Sequence, residues 1–326
     1  MSRTYKAVGI NLKGMPLGES DRLLTILTPE FGLIRAVAPG ARKHKSSLGG
    51  RSGLFVVNEL LIAKGRSLDK ITQAQSLESY PGLGQHLGKL TASQYLAELV
   101  LLQALGDQPQ RELYELFNAH LGRLEQAASN EAIMAHLTHA VFHLLALAGL
   151  APQVHRCCTS QDPIVPDFQT PHWQVEFDVA AGGAIAIASQ QTQPTQDKLK
   201  YRGGDRQPIS AQPEPSVGIL NSPPAVKSPQ RSQVTREPAA RKSAYSTRLD
   251  ATELDILQRL AYPELPIIQE VLSSSAPMGI ERWLRLEHIL RQYAQYHFDR
   301  SLRAAALIES CFLPLPTSIT RDNATV

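Results

Sequence analysis

Arg22-Leu23-Leu24-Thr25-Ile26-Leu27-Thr28-Pro29-Glu30-Phe31-Gly32-Leu33-Ile34-Arg35-Ala36-Val37-Ala38 reads as two short strands joined by a turn. Leu24 and Ile26 alternate with Leu23, Thr25 and Leu27, so both faces of the first run carry apolar groups, which suits a small closed sheet. Working outward, Tyr5–Leu12, Gly53–Ala63 and Leu68–Leu77 are similar runs of Val, Ile, Leu and Thr. Turn chemistry separates the runs at 14–18 (Gly14-Met15-Pro16-Leu17-Gly18), 28–32, Pro39-Gly40 and Lys64-Gly65. Five strands in the first 80 residues is the size of an OB-fold barrel, and an SH3-like barrel has the same signature.

Beyond residue 80 the period changes from two to the helical spacing. Thr91 with Gln94 forms a capping box ahead of a helix over Tyr95–Leu105. Asp107, Pro109 and Gln110 start a second helix to about Gln126. Asn130–Ala148 sets Ile133, Leu137, Val141, Leu144 and Ala148 on one stripe, and Gly149 ends it. Residues 151–188 read as a short irregular insert ending in two runs, Trp173–Phe177 and Gly182–Ile187, the second a hairpin strand. From 189 to 248 the composition falls to Gln, Ser, Pro, Thr, Arg and Lys, with eight of the 22 prolines, and disorder is expected. Helix resumes at an Asp250/Glu253 capping box, and Trp283, Leu286, Leu290, Tyr293 and His297 mark a closing helix that should pack on the 91–150 bundle. The expected class is α+β multidomain: an OB-fold-like β-barrel over 1–80, an all-α domain over 81–150 and 249–312, the 151–188 insert, and the long disordered loop.

The chain has 326 residues, 43% of them apolar and 19% charged, enough to bury real cores. No stretch reaches 18 uncharged apolar residues and the N-terminus has no apolar signal-like core, so neither a membrane span nor secretion is expected. Cys157, Cys158 and Cys311 cannot make a disulfide framework, which fits a reducing cytoplasm. The net charge of +3 hides segregation: +6 over 1–80, −6 over 81–188, +6 over 189–248 and −3 over 249–326. A polyanion should meet the first or third block.

The first block concentrates its cations on turns. Arg35, Arg42, Lys43, Lys45 and Arg51 lie on or beside one connection of the barrel, and Lys64 and Arg66 on another. Clustered cations are what a phosphate backbone requires, and OB barrels add stacking rings to them. Rings are few: Tyr5, Phe31, Phe55 and Tyr80 are the aromatic side chains before residue 81, and Phe55 reads as core. Phosphate-led binding with little sequence preference is therefore expected. The +6 of 189–248 reads as a tolerated surface loop rather than a DNA tether.

Enzymatic signals are missing. There is no G-x-x-x-x-G-K-[ST] phosphate loop and no nucleophile–base or paired-carboxylate arrangement. His136, His139 and His143 flank the apolar stripe of their helix at i, i+3 and i+7, without an HExxH carboxylate, and read as a polar helix edge. No catalytic residue, metal or cofactor is expected. A metal-dependent enzyme using these histidines or the cysteine insert, and a barrel that binds only protein, are the competing readings.

The ordered set of segments resembles the RecO recombination mediators of bacteria. Gly18–Leu23 followed by Thr28–Gly32 is similar to that family's opening hairpins, and Ala38–Ser46 to its basic loop. Phe142–Pro152 and Phe177–Gly183 resemble its helix-to-insert junction, and Arg291-Gln292-Tyr293, Tyr296-His297 and Ser301-Leu302-Arg303 its closing helix. The resemblance covers roughly 260 residues and omits 189–248. It implies a non-enzymatic role in DNA repair. By resemblance, such a protein binds single- and double-stranded DNA, anneals strands and, with RecR, loads recombinase onto strands coated by single-strand-binding protein, whose acidic tail is a further partner. A cytoplasmic, nucleoid-associated location follows from the same resemblance. In many members the insert holds zinc on two C-x-x-C pairs; here Cys157 aligns with the first position, Ser160 replaces the next, and Gly182–Ser189 has no thiol. A residual set of Cys157, Cys158, His155 and His172 is outweighed by ordinary packed thiols.

Overall fold

The computed structural model describes residues 4–187, 246–264 and 279–312. The N-terminal strands are β1 (Thr4–Leu17), β2 (Asp21–Thr28), β3 (Gly32–Ala38), β4 (Val57–Ala63) and β5 (Asp69–Glu78). They close into a barrel in the order β1-β2-β3-β5-β4, with β3 and β5 parallel and every other neighbour antiparallel. This is the OB-fold-like barrel expected from the strand count. Its interior is filled by Ala7, Leu24, Ile26, Ala36, Leu60, Ile62 and Ile71. Gly9 faces that interior, where a Cβ would stand 2.6 Å from Ile26 Cγ2, so the wall closes only around glycine.

The Gly14–Gly18 segment is not the turn its residues suggest. Gly14–Leu17 continue β1 and pair with β2 down to Leu17↔Asp21, after a register shift between Asn11 and Lys13. The far edge of this arm has no partner strand because β4 pairs with β1 only as far as Ile10, and an open edge tolerates Pro16. The turn is Gly18–Ser20, with Gly18 at φ +58°. Likewise β4 starts at Val57 rather than Gly53: Phe55 takes φ +59° and sends its ring to Phe117 in the helical domain, 6.3 Å between centroids.

The helices are α1 (Pro81–Gln85), α2 (Leu87–Gln103), α3 (Arg111–Gln126), α4 (Asn130–Leu147), α5 (Ala251–Arg259), α6 (Ile280–Phe298) and α7 (Ile308–Phe312). The Thr91 cap fails: the N-cap of α2 is five residues earlier, at His86, whose ring accepts from the Lys89 N–H. Thr91 is buried instead, with its hydroxyl 3.4 Å from Cys311 Sγ on α7. The α4 start is capped by Ser129, and Asp250 and Glu253 form the reciprocal capping box on α5. The closing helix α6 packs along α4 and buries Trp283, Leu286, Leu290 and Tyr293.

The insert forms β6 (Gln174–Asp178) and β7 (Gly183–Ala186), joined by β8 (Ser246–Asp250) in the order β7-β6-β8. Ser246–Arg248, grouped with the low-complexity block by composition, therefore belong to a strand, held by pairing to Glu176, Phe177 and Asp178. The remainder of the 189–248 expectation lies outside the described residues. Val175, Phe177, Ala184 and Leu249 share one core with the helices, and Ile10, Leu12, Leu27 and Val57 on the barrel's outer wall join it. The barrel and helices are thus packed as one body. Gly32, at φ +63°, brings the β2–β3 turn onto the α2–α3 connection, where Leu33 N donates to Leu105 O at 2.9 Å and Gln110 N to Pro29 O at 2.9 Å.

Candidate nucleic-acid interface

The connection between β3 and β4 is long but built. Successive turns bond Lys43 N to Gly40 O, Ser46 N to Lys43 O and Ser52 N to Leu48 O, while Ala41 and Leu48 plug into the barrel core. At its first end the Arg42 N–H donates to Ser20 O at 2.9 Å and the Arg42 guanidinium to Gly18 O at 3.1 Å. At its other end the buried amides of Asn11 and Asn58 both donate to the Arg51 carbonyl, at 2.8 and 2.9 Å, and Arg22 reaches the Ser52 carbonyl at 3.0 Å. Buried amides with satisfied donors fix backbone position, so this loop presents its cations from a defined frame. Asn11 and Asn58 interrupt apolar strand runs, which is the signal by which the sequence marks them.

Arg42, Lys43 and Lys45 are exposed on the first half of the loop. Arg51 closes the second half, bonding to the Ser47 carbonyl, and lines an open groove of about 490 Å³ with Lys6, Gln73 and Gln75. Arg35 stands apart, on the outer wall of β3 opposite Thr25, whose other neighbour is Lys13, giving a Lys13–Thr25–Arg35 row across three strands. Lys64 and Arg66 are exposed on the β4–β5 turn, which leads into the pairing of Asp69 and Lys70 with Ala36 and Val37. Among the described residues, none of the seven cations makes an ion pair with a carboxylate. Two carboxylates border the loop: Glu59, which lines the groove with Arg51, and Asp21, which accepts from the Gly40 N–H at 2.8 Å. That bond first, then the Ser20 hydroxyl and the charges of Lys43 and Lys70, hold Asp21 below the ordinary carboxylate range. The charge of Lys70 therefore falls in the same field as Lys43. Lys13 and Lys70 were not singled out by sequence because they sit inside strands; only the pairing reveals which cations they join.

The rings give little stacking surface. Phe55 and Tyr80 are in the core, and Tyr5 stands edge-on to Phe31 at 5.1 Å with its hydroxyl donating to Asp69 at 2.6 Å. Burial, then the Asp69 bond, raise the Tyr5 phenol well above its ordinary value.

Family models for the N-terminal and C-terminal parts of recombination protein O match residues 1–80 and 84–185. The DNA repair protein RecO of Nostoc punctiforme is 55% identical over 314 residues, covering 96% of this chain and 97% of that protein. The chain belongs to the RecO family. Those of Gloeothece citriformis and Gloeobacter violaceus are 51% and 40% identical, with 95% and 96% of this chain covered and 98% and 95% of theirs. Among the described residues no helix is long and apolar enough to cross a membrane.

In this RecO chain the insert does not fit the four-thiolate zinc site that the resemblance implies for many members. Cys157 Sγ accepts backbone N–H bonds from Ala186 at 3.3 Å and Ser160 at 3.5 Å, and no second thiol takes the place of Ser160. Burial pushes the Cys157 thiol up, but the bonds from Ser160, Ala186 and Thr159 outweigh it and bring it to about 7. Burial raises Cys158 instead. Cys157, Cys158, His155 and His172 do not form a cluster; the group of ligand atoms that converges among the described residues is His120, His139 and His143.

The histidine stripe differs from its sequence reading. His139 is buried rather than on a polar edge, His143 is half-buried, and both ring Nε2 atoms meet the Tyr262 carbonyl, at 2.9 and 3.1 Å. His136 is not part of the group; its place is taken by His120 of α3, also buried. Burial, reinforced by neighbouring rings and Arg123, lowers His120 to about 2 and His139 to about 3. Burial likewise lowers His143, against the opposing pull of its Tyr262 bond. His120 occupies the inward stripe of α3 with Leu113, Phe117, Leu121 and Leu124, an i, i+4, i+7 position open to a sequence reading.

Proposed function

We propose that this chain is a non-enzymatic recombination mediator that holds DNA on the 1–80 barrel. It binds single and double strands, promotes annealing of complements and, with RecR, loads recombinase onto strands coated by single-strand-binding protein. The DNA repair role of its relatives supports the class of process. The single observation that carries the binding step is the cation-bearing loop, with Arg42, Lys43 and Lys45 exposed and in no ion pair with a carboxylate among the described residues, and its backbone pinned by Asn11, Asn58 and Arg22. A backbone already held in place spares the loop that part of the ordering entropy on meeting phosphate, and each contact releases condensed counterions. Two strands held this way repel one another less, which is the physical content of annealing. Because the available rings are packed or edge-on, contacts go to phosphates, and binding is indifferent to base sequence.

The test is a fluorescence-anisotropy titration of single- and double-stranded oligonucleotides across salt. The reading expects the logarithm of the affinity to fall linearly with log salt, equally for scrambled sequences. No binding at low salt would favour a barrel that contacts only protein.

A further inference from the structure

Three histidines from two helices converge beneath the turn that follows α5. His120 Nε2 lies 3.3 Å from His143 Nδ1, and one ligand nitrogen from each of His120, His139 and His143 lies within 4.8 Å of the others. The Tyr262 carbonyl receives the Nε2–H of both His139 and His143, which fixes both rings in the tautomer whose lone pair is on Nδ1. We propose that His120 Nε2, His139 Nδ1 and His143 Nδ1 bind one zinc-class divalent cation, fastening α3, α4 and the Tyr262 turn together.

Three observations carry this. The first is spacing: two nitrogens each about 2.0–2.1 Å from one tetrahedral cation stand about 3.3 Å apart, the separation found between His120 and His143. The second is hydrogen-bond accounting. With protons alone, His120 can donate to His143, which leaves His139 Nδ1 and His120 Nδ1 buried without partners. With a cation, His139 Nδ1 becomes a ligand and a single buried nitrogen stays unpaired, and an unpaired buried polar atom is costly. The third is the outer shell. A metal-bound imidazole characteristically donates its other N–H to a carbonyl, and Tyr262 already serves two of the three rings. Arg123 holds the next carbonyl, Pro263 O, at 3.0 Å and steadies that turn.

The chemistry of the set selects the ion. Three neutral imidazoles without a carboxylate favour zinc, cobalt, nickel or copper over magnesium and calcium, which demand oxygen. His143 is half-buried, so one of the three rings is within reach of solvent. The α4 stripe of His136, His139 and His143, which the sequence offers as a competing metal set, is not the one that converges: His120 of α3 takes the place of His136, and that meeting appears only in the fold.

The test uses the full chain, stripped by chelator and titrated with Co²⁺ followed by Zn²⁺. One Co²⁺ per chain is expected, with visible absorption displaced by Zn²⁺ and a melting temperature raised by several degrees. His143→Ala should lose most of the binding, at least tenfold, whereas His136→Asn and the Cys157→Ser/Cys158→Ser double variant should keep it. Retention by His143→Ala, or loss in the cysteine double variant, would overturn the assignment, as would a folded wild type that takes up no metal. Should His143→Ala fail to fold, histidine-ring NMR of the wild type decides. Zinc must shift three ring systems and leave His155 and His172 in place; any other pattern rejects the site.

Discussion

Arg291 Nε lies 3.5 Å from the Glu287 carboxylate, one turn apart on the closing helix, and both side chains are buried. Arg291 also donates to Ala305 O at 2.6 Å and to Glu309 at 2.5 Å, so it ties α6 to the segment that ends the described chain. Burial pushes Glu287 up to about 7, and the Arg291 charge only partly opposes it. A carboxyl raised in the folded state favours folding below its unfolded value near 4.5, and that contribution is lost as pH rises through 7. Wild-type stability should therefore fall relative to Glu287→Gln between pH 5 and pH 8, with a slope no steeper than about 1.4 kcal/mol per pH unit. Urea unfolding of both proteins across that range checks it; a pH-independent difference would refute it. Arg291→Leu, which strands the acid, should cost about 3–5 kcal/mol at pH 8.

Replacing Arg42, Lys43 and Lys45 together with alanine should weaken binding to single strands of any sequence. Each phosphate contact removed lowers the salt slope by about 0.7, so three give about 2. The fold should change little, because the loop is held by backbone bonds and by Asn11 and Asn58, and the variant gives up only the exposed bond from the Arg42 guanidinium to Gly18 O. Anisotropy at several salt concentrations measures this, and unchanged affinity at low salt would remove the loop from the DNA-binding surface.

Gly32→Ala should destabilise the chain by at least about 2 kcal/mol. The residue is at φ +63°, which costs a side chain roughly 1–2 kcal/mol, and a Cβ there would stand 2.1 Å from the Leu105 carbonyl oxygen. Gly18→Ala, at φ +58° with open space around it, pays only the first of these. Thermal unfolding of both should rank them in that order; equal losses would mean that the turn slides off the α2–α3 connection freely.

Deleting Gln191–Arg241 should leave the melting temperature within a few degrees of wild type. β7 and β8 flank β6, with Ala186 opposite Val175 and Ser246 opposite Asp178. Two strand spacings and a three-residue offset put the ends about 14 Å apart. The eight residues retained between them span up to about 26 Å. Failure of this variant to fold would show that the deleted stretch contributes to the core.

The barrel was legible because its strands alternate with period two between turn residues, and the capping box at Asp250 because both partners are local. What escaped depends on pairing across distance. Gly14–Leu17 looks like a turn until Asp21–Leu24 is seen to hold it as a strand. Thr91 has the spacing of a cap, but contact with α7 recruits its hydroxyl to the interior. The basic loop could be read as a cluster from sequence, whereas the alignment of Lys13 with Arg35 follows from strand register. His120 and His139 meet across two helices, which no single-helix stripe encodes.

The β7-β6-β8 order also sets a timetable. While the chain emerges from a ribosome, β6 and β7 can pair as a hairpin, but 59 residues separate β7 from β8. At roughly 5–20 residues per second, that is about 3–12 seconds during which one edge of β6 has no neighbour. Val175 spends that interval without its cross-strand neighbour Leu249, and Phe177 waits longer still for the Tyr293 ring of α6. Nascent RecO of this kind thus passes through a stage in which an apolar strand edge is open, and trigger-type chaperones or slow synthesis should affect its yield more than they affect the finished fold.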